Sequence, residues 1–350
     1  MKKIFYTFLI SSFVFPIIGG WEVDPECPDC KYPFNVSLQT NEYYILSELQ
    51  PDLPTLWAGH FCQGTLVDGN WVLTTAGCID EVQNTSDIWT EIGLHNINHE
   101  ISPLADSISV ENIYIHPNYN SDQPWHYNYA LLELSEVSTY EPIQLISDST
   151  YEEFGDSVTV MGWGARAYAQ AWIHAYVLFE NNGTIGDCLT GWDGDETLLC
   201  LTPWDLDDYD DWESNDFFEE GFPGGACNGD EGASLITMND DGNYELLGNY
   251  FIGCVMSYPN QNKYSRVSIV NNWVYSYIGY PCEDGAFVNV SIVFDDNTNE
   301  TSWELWYRGE NPDGGYLYLV NSGIDSEQNI CISDEGVYEF VIYDEGGDGL

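Results

Sequence analysis

Basic residues are scarce in this chain. Only 7 of its 350 residues are Lys or Arg, whereas 58 are Asp or Glu, which gives a formal net charge of −51 at pH 7. Such a surface repels the phosphates of nucleic acids and of anionic lipids, so the composition excludes nucleic-acid binding. It favours divalent cations, basic protein partners or a saline medium instead.

Long apolar runs are also missing after the N-terminus. Residues 1–16 have the pattern of a secretory signal peptide, because Lys2 and Lys3 precede an apolar run from Ile4 to Phe15. No later segment has the roughly 20 apolar residues of a membrane-spanning helix. We therefore expect a secreted, extracellular protein with no membrane span. Ten cysteines agree with this expectation, since disulfides persist in oxidising compartments.

Short apolar segments between Gly, Pro, Asn and Asp extend from residue 17 to about residue 280. Segments such as 108–115, 129–134 and 157–162 have the length of strands and predict an all-β barrel or sandwich. One helix is predicted over Ile269–Ile278, where apolar residues recur at helical spacing. A change of pattern near Pro281 predicts a domain boundary between 17–280 and 281–350.

The C-terminal region alternates apolar and polar residues from Phe287 onward. This pattern predicts a β-hairpin that joins 287–294 to 302–307 through a turn at 295–300, with further strands after it. We expect a small β-sandwich-like module with cross-strand aromatic pairs. Its last residues form a Gly-rich turn pattern without a closing strand, so we expect the module to be incomplete.

The turn at 295–300 carries one candidate metal site. Asp295, Asn297 and Asn299 have the oxygen spacing of the first half of a calcium-binding loop. The twelfth position is Trp306, which does not fit that pattern, so a polar hairpin turn remains the alternative. No cofactor is required by any other motif, and calcium is the ligand that this turn predicts.

Six groups of residues follow one another in a characteristic order: IIGG at 17–20, HFCQGTL at 60–66 with WVLTTAGC at 71–78, HPNY at 116–119 with NYALL at 128–132, MGWG at 161–164, CNGDEGASL at 227–235 and YSRV at 264–267. Together they resemble the trypsin-like (peptidase S1) serine proteases. The resemblance implies a double six-stranded antiparallel β-barrel with a C-terminal helix.

The same resemblance places the family's catalytic groups at Gly77, Asn128 and Glu231. The chemistry needs an imidazole, a carboxylate that orients it and a serine hydroxyl, and none of the three residues supplies its group. We therefore expect a catalytically degenerate protease homologue that binds a partner. The alternatives are a hydrolase with unrecognised groups, for which His126 or the Asp230–Glu231 carboxylate pair are candidates, and an adhesive or structural surface protein.

The resemblance also implies the positions around the former cleft. Gly225 corresponds to the floor of the specificity pocket, and the remaining pocket and oxyanion positions are Gly229, Asp230, Phe251 and Gly253. In the family, the aspartate at position 230 pairs with a freed N-terminal amine, which here would be that of Ile17. The sequence leaves this pairing open.

The cysteines divide into implied and inferred pairs. The resemblance implies the pairs Cys62–Cys78, Cys188–Cys200 and Cys227–Cys254. Cys27 and Cys30 form a Cys-x-x-Cys motif, for which a local disulfide is favoured over a redox or metal site. By elimination, Cys282 and Cys331 are left to bridge the C-terminal module.

An acidic segment, Trp204–Glu220, interrupts the region between Cys200 and Cys227. It combines nine carboxylates with aromatic residues, whose burial would hold the segment against the barrel. We expect it to border the former cleft and to bind calcium or a basic partner. The alternative is a solvated loop without a partner.

Overall fold

A computed structural model describes most of the two predicted domains. The described residues are 20–24, 30–40, 59–97, 105–146, 149–164, 177–188, 195–202, 225–227, 229–252, 261–279, 286–291, 301–309, 318–323, 327–332 and 336–344. The chain divides into two compact units, Met1–Val270 and Asn271–Leu350. The predicted boundary at Pro281 lies outside the described residues and stays a prediction.

Six antiparallel strands close the first barrel. After a short strand β1 (Trp21–Glu22), they are β2 (Asn35–Thr40), β3 (His60–Asp68), β4 (Trp71–Thr74), β5 (Ile88–Ile92), β6 (Asp106–Ile115) and β7 (Ala130–Leu134). Their order around the barrel is β2-β3-β4-β7-β6-β5. The interior is filled by branched side chains, among which Val36, Leu38, Leu66, Val72 and Ile92 are fully buried. Such filling makes the barrel a packed core.

The second barrel closes in the same way. Its elements are β8 (Gln144–Leu145), β9 (Ser157–Gly162), β10 (Phe179–Gly186), β11 (Leu198–Leu201), β12 (Ser234–Met238), β13 (Tyr244–Ile252) and β14 (Lys263–Arg266). The order β9-β10-β11-β14-β13-β12 returns to β9, while β1 pairs with β10 and β8 runs parallel to β13. The predicted double six-stranded barrel is therefore confirmed.

Polar side chains join the two barrels. The hydroxyls of Thr65 on β3 and Ser234 on β12 are 2.6 Å apart, and Nδ2 of Asn249 on β13 donates to Oγ1 of Thr65 at 3.0 Å. The hydroxyl of Tyr129, directly before β7, donates to the carbonyl oxygen of Thr197 at 3.2 Å. These hydrogen bonds are buried and fix one barrel against the other, because an unmade bond there would leave a buried polar group unsatisfied.

Helical structure is short in the described residues. The 3-10 helices are Ala76–Cys78, Thr85–Asp87, Ser149–Glu152 and Ser268–Val270, and the α-helix α1 spans Asn271–Ile278. The predicted late helix is thus confirmed, with its first turn wound as a 3-10 helix. Among the described residues, no helix is long and apolar enough to cross a bilayer.

Disulfides hold several of these segments. Cys62 on β3 bonds to Cys78, and Cys188 bonds to Cys200 on β11, which are two of the pairs that the resemblance implies. Cys30 and Cys227 are also disulfide-bonded. Their expected partners, Cys27 for Cys30 and Cys254 for Cys227, lie outside the described residues. The last expected pair, Cys282–Cys331, stays a prediction because Cys282 also lies outside them.

Three of the scarce basic residues are held in ion pairs. Each has a side chain no more than 33% exposed, and the pairs are Lys31–Glu180, Arg266–Glu152 and Arg308–Glu339. The Glu152 carboxylate also accepts a hydrogen bond from the Ser268 hydroxyl at 2.8 Å. A fourth basic residue, Lys263, is only 9% exposed.

The second unit contains two small sheets. Strands β15 (Ala286–Ser291) and β18 (Glu327–Ile332) form one, and β17 (Tyr318–Gly323), β16 (Thr301–Gly309) and β19 (Val337–Asp344) form the other. Their shared core contains Val290, Trp303, Leu305 and Ile330. This agrees with the predicted sandwich-like module.

The predicted hairpin between 287–294 and 302–307 is wrong. Strand β15 pairs with β18, and β16 pairs with β17 and β19. Val290 of β15 contributes to the same core as Trp303 of β16, so these two strands lie in different sheets and meet through side chains. The alternating pattern identifies both strands, but it does not choose between a hydrogen-bonded neighbour and a strand in the facing sheet.

We predict that Val36→Ala destabilises the first unit, whereas Val137→Ala does not. Val36 is fully buried and Val137 is 70% exposed, although both changes remove the same two methyl groups. The loss at Val36 should be about 2 kcal/mol, with an additional cost for the cavity. Urea unfolding of the two variants measures the difference, and equal losses would contradict the described core.

Candidate functional site

Gly77, the position at which the resemblance implies the imidazole, lies in the 3-10 helix Ala76–Cys78 after β4. Its backbone N–H donates to Oδ1 of Asn128 at 2.9 Å. A Cβ atom added at Gly77 would have the Asn128 amide and the Tyr119 hydroxyl as its nearest described neighbours, at 3.8 to 3.9 Å. These are ordinary contact distances, so the position has room for the start of a side chain but holds no group that can transfer a proton.

Asn128, the position at which the resemblance implies the carboxylate, is 2% exposed. The preceding residue, Tyr127, has a φ of 49°, which is unusual for a residue other than glycine and turns the chain just before β7. The amide oxygen of Asn128 accepts the hydrogen bond from Gly77 as a carboxylate could. A neutral amide nevertheless cannot stabilise an imidazolium by charge.

Glu231, the position at which the resemblance implies the nucleophile, lies in the loop between Cys227 and β12. The N–H of Gly229 donates to Oε2 of Glu231 at 2.7 Å. Burial raises the pKa of Glu231, while hydrogen bonds from the amides of Glu231 and Gly229 oppose the rise. Among the described residues, no histidine or serine side chain forms a hydrogen bond with this carboxylate. The position therefore presents a hydrogen-bond acceptor in place of a hydroxyl nucleophile.

The neighbouring Asp230 is fully buried within a set of three donors. Its Oδ1 accepts from Gly164 N and from Gln63 Nε2, each at 2.8 Å, and its Oδ2 accepts from Cys227 N at 2.9 Å. A Cβ atom at Gly164 would overlap the carboxylate, so the chain can approach this closely only because that residue is glycine. The pairing of Asp230 with the amine of Ile17 involves a residue outside the described ones and stays untested.

The pKa of Asp230 reflects competing effects. Burial is the main cause of its net rise from 3.8 to about 7; hydrogen bonds from Cys227 and Gly164 oppose the rise, and the nearby charge of Glu231 adds to it. Two adjacent carboxyl groups in a buried loop disfavour each other's ionised forms. The carboxyl of Asp230 therefore changes its protonation state near neutral pH.

A serine–histidine contact lies beside this loop. Oγ of Ser37 is 2.7 Å from Nδ1 of His60, and Nε2 of His60 is 3.2 Å from the carbonyl oxygen of Gly229. Ser37 is fully buried and also accepts a hydrogen bond from Gln39 Nε2 at 2.7 Å. The pair links β2 and β3 to the loop that carries Gly229. Because Ser37 is buried, we interpret the contact as one that positions this loop. Sequence reasoning missed it because Ser37 and His60 are separated by 23 positions.

A neutral polar side chain lies beside Gly225, the expected floor of the specificity pocket. A Cβ atom at Gly225 would overlap Oδ1 of Asn262, whose Nδ2 donates to the carbonyl oxygen of Ala226 at 2.8 Å. Asn262 is 3% exposed, so its amide occupies the space beside the floor. Sequence reasoning missed this residue, because nothing in the sequence relates position 262 to position 225.

The remaining candidate groups are not brought together. His126 Nδ1 lies 3.3 Å from Oδ2 of Asp195, and the Asn128 amide accepts from Gly77. Phe251 is half-buried near the end of β13. Gly253, the acidic segment 204–220 and the turn with Asp295, Asn297 and Asn299 lie outside the described residues. Within the described residues, no group of three His, Cys, Asp or Glu side chains is arranged to hold a metal ion.

One cavity of about 210 Å³ lies elsewhere on the second barrel, away from the three catalytic positions. Its wall includes Phe154, Ile185, Asp187, Asp195 and Leu198. Asp195 is fixed there by Thr197, whose N–H and hydroxyl donate to Oδ1 at 3.0 and 2.6 Å. The cavity wall combines acidic and apolar side chains, and its acidic part agrees with the strongly negative composition.

Comparison with known proteins gives one family and two named relatives. A family model described as Trypsin matches residues 24–274. Ovochymase-2 of Mus musculus is 26% identical over 253 residues, which cover 70% of this chain but only 36% of that protein. Glucanase inhibitor protein 3 of Phytophthora infestans is 29% identical over 233 residues, covering 64% of this chain and 80% of that protein.

We predict that the buried carboxyl of Asp230 makes stability fall as pH rises. Its folded pKa lies above its ordinary value of 3.8, so its contribution is fully present below that value and is lost as pH rises through about 7. Asp230→Asn should reduce the slope of unfolding free energy against pH in this window, by up to about 1.4 kcal/mol per pH unit.

The matched control is Asp122→Asn, which removes one negative charge from an exposed position. Urea unfolding at several pH values between these two pKa values measures both slopes. Equal slopes for the two variants would show that Asp230 is ionised alike in the folded and unfolded chain.

Proposed function

The chain belongs to the trypsin family, and on that premise we propose that it is a secreted, non-catalytic member that acts by binding a protein partner. The observation that carries the proposal is the carboxylate at the nucleophile position. An oxygen of Glu231 accepts the N–H of Gly229, and no hydroxyl is present there to attack a carbonyl carbon.

The other two positions support the same conclusion. Gly77 offers no imidazole to accept a proton, and Asn128 offers no charge to orient one. In enzymes of this type, loss of one member of the triad already removes most of the rate acceleration. Replacement of all three leaves binding as the activity that the scaffold can still perform.

The retained scaffold suits a binding role. Disulfides hold the segments of Cys62 and Cys188, and three donors fix the loop around Asp230. A surface held in one conformation loses less entropy on association than a flexible one. The three expected reacting groups are replaced, while disulfides and buried hydrogen bonds hold the surrounding loops.

Secretion is supported by the sequence and by the disulfides. The pattern of residues 1–16 is that of a signal peptide, and bonded cysteines are typical of proteins that leave the reducing cytosol. The proposal therefore places the protein and its partner outside the cell.

The chemistry of the partner follows from charge and from one relative. A net charge of −51 favours a basic partner surface and speeds association with it. The Phytophthora infestans relative is named as an inhibitor of a glucanase. We therefore propose a glucan-hydrolysing enzyme with a basic surface as the partner class.

We predict no hydrolysis of a broad peptide panel and no labelling by serine-directed phosphonates. Glu231→Ser alone should stay inactive, because no base stands beside the new hydroxyl. The triple change Glu231→Ser, Gly77→His and Asn128→Asp should give weak turnover at most, since Asn262 still fills the space beside Gly225. Steady-state assays and mass spectrometry of the labelled protein test this, and stoichiometric labelling of wild type would overturn the proposal.

We predict salt-sensitive inhibition of a glucanase. Glucan hydrolysis should fall when the chain is added at low ionic strength and should recover as salt shortens the Debye length from about 30 Å at 0.01 M to about 3 Å at 1 M. A variant with the nine carboxylates of 204–220 changed to amides tests whether that segment supplies the attraction. Unchanged hydrolysis across basic glucanases at low salt would rule out this partner class.

A further inference from the structure

Asn-x-Ser/Thr triplets recur in the chain and have no part in the proposed binding role. Five of them begin at Asn35, Asn84, Asn182, Asn289 and Asn299. Such a triplet accepts N-linked oligosaccharide in proteins that enter a glycosylating secretory pathway. Asn299 and the side chain of Asn289 lie outside the described part of the structure. The first three triplets therefore show which positions the fold can offer to a glycan.

Asn35 is the first residue of β2 and is fully buried in the first barrel. Strand β2 pairs with β3 on one side and with β5 on the other, so the barrel is closed on both sides of it. An oligosaccharide is large and hydrated, and a close-packed interior has no space for it. A chain modified at Asn35 could not close this barrel, so the folded protein carries no glycan there.

Asn84 is exposed and lies directly before the 3-10 helix Thr85–Asp87. Its backbone is extended, with a φ of −135° and a ψ of 133°. Its Nδ2 donates to Oδ2 of Asp87 at 3.1 Å, and this contact lies at the surface. Water replaces a surface hydrogen bond at little cost, so Nδ2 can carry a sugar without loss to the fold. Ser86, which completes the triplet, is exposed as well.

Asn182 lies on β10, on the outer surface of the second barrel. Its neighbour Asn181 is 4% exposed, whereas Asn182 is exposed, as the alternation of a strand requires. The Oδ1 atom of Asn182 accepts from the hydroxyl of Thr159 at 3.3 Å, again at the surface. Oδ1 and Nδ2 lie on opposite sides of Cγ in a planar amide, so this contact does not occupy the nitrogen. Thr184, the third residue of the triplet, is also exposed.

We propose that Asn84 and Asn182 are N-glycosylation sites and that Asn35 is not one. In the transfer, Nδ2 attacks the anomeric carbon of an oligosaccharide that is linked to a polyprenyl diphosphate. A carbon–nitrogen bond forms, the bond from that carbon to the diphosphate oxygen breaks, Nδ2 gives up a proton, and the lipid diphosphate leaves.

The two sites also narrow the surface that is open to a partner. A glycan is bulky and mobile, so a protein partner docks where neither Asn84 nor Asn182 lies in the contact. The inference rests on the proposed secretion, because the oligosaccharide donor is located in the secretory pathway.

Expression of the full chain in a glycosylating eukaryotic cell line tests the sites. Two forms are compared, one with the natural residues 1–16 and one with an established secretory signal in their place. Peptide mapping by mass spectrometry, before and after enzymatic removal of N-linked glycans, should find glycans at Asn84 and Asn182 and an unmodified Asn35. In gel mobility, Asn84→Gln and Asn182→Gln should each lose the shift that one glycan causes.

Matched variants separate the glycan from the asparagine itself. Ser86→Ala and Thr184→Ala keep each asparagine but remove the acceptor triplet, so each should lose the same glycan as the corresponding glutamine variant. Asn112 is an exposed asparagine that does not begin a triplet. Asn112→Gln should therefore leave the gel mobility unchanged.

The outcomes distinguish this inference from the proposed secretion. An unmodified Asn84 or Asn182 in the secreted protein, or a glycan at Asn35, would overturn the inference. Failure of export with the natural residues 1–16, together with glycans at both sites when the established signal is used, would refute the proposed secretion and leave the two sites standing.

Discussion

The carboxylate of Asp230 connects three separate parts of the first unit. It binds the side chain of Gln63 on β3 of the first barrel, the backbone after β9 at Gly164, and the loop at Cys227. Because the group is fully buried, every one of these donors is needed to offset its lost hydration. The loop that carries Gly229 and Glu231, which also contacts His60 through the carbonyl oxygen of Gly229, is linked to both barrels through this carboxylate.

The three candidate catalytic positions are themselves hydrogen-bonded to the backbone. Gly77, Asn128 and Glu231 each form a backbone-linked hydrogen bond, the first two with each other and the third with Gly229. None of the three leaves a buried donor or acceptor without a partner among the described residues.

Sequence reasoning succeeded where a feature is local or belongs to an ordered set of motifs. The double barrel, the helix ending at Ile278 and the bonded pairs of Cys62 and Cys188 are of this kind. It failed where two distant segments had to choose each other. Alternation in β15 identified a strand but not its partner β18. Nothing in the sequence marked Asn262 as the neighbour of Gly225. Nor did it mark Gln63 as the hydrogen-bond donor to Asp230, which lies 167 positions away.

The ion pairs of the few basic residues limit how readily a protease can cleave the folded protein. A protease that cuts only after Lys or Arg needs such a residue in an accessible, deformable segment. In the described part of the chain these residues are Lys31, Lys263, Arg266 and Arg308, and each is in a strand or close to one, with three in ion pairs and Lys263 buried. Among the described residues, the folded chain therefore offers enzymes of that specificity few accessible bonds to cleave.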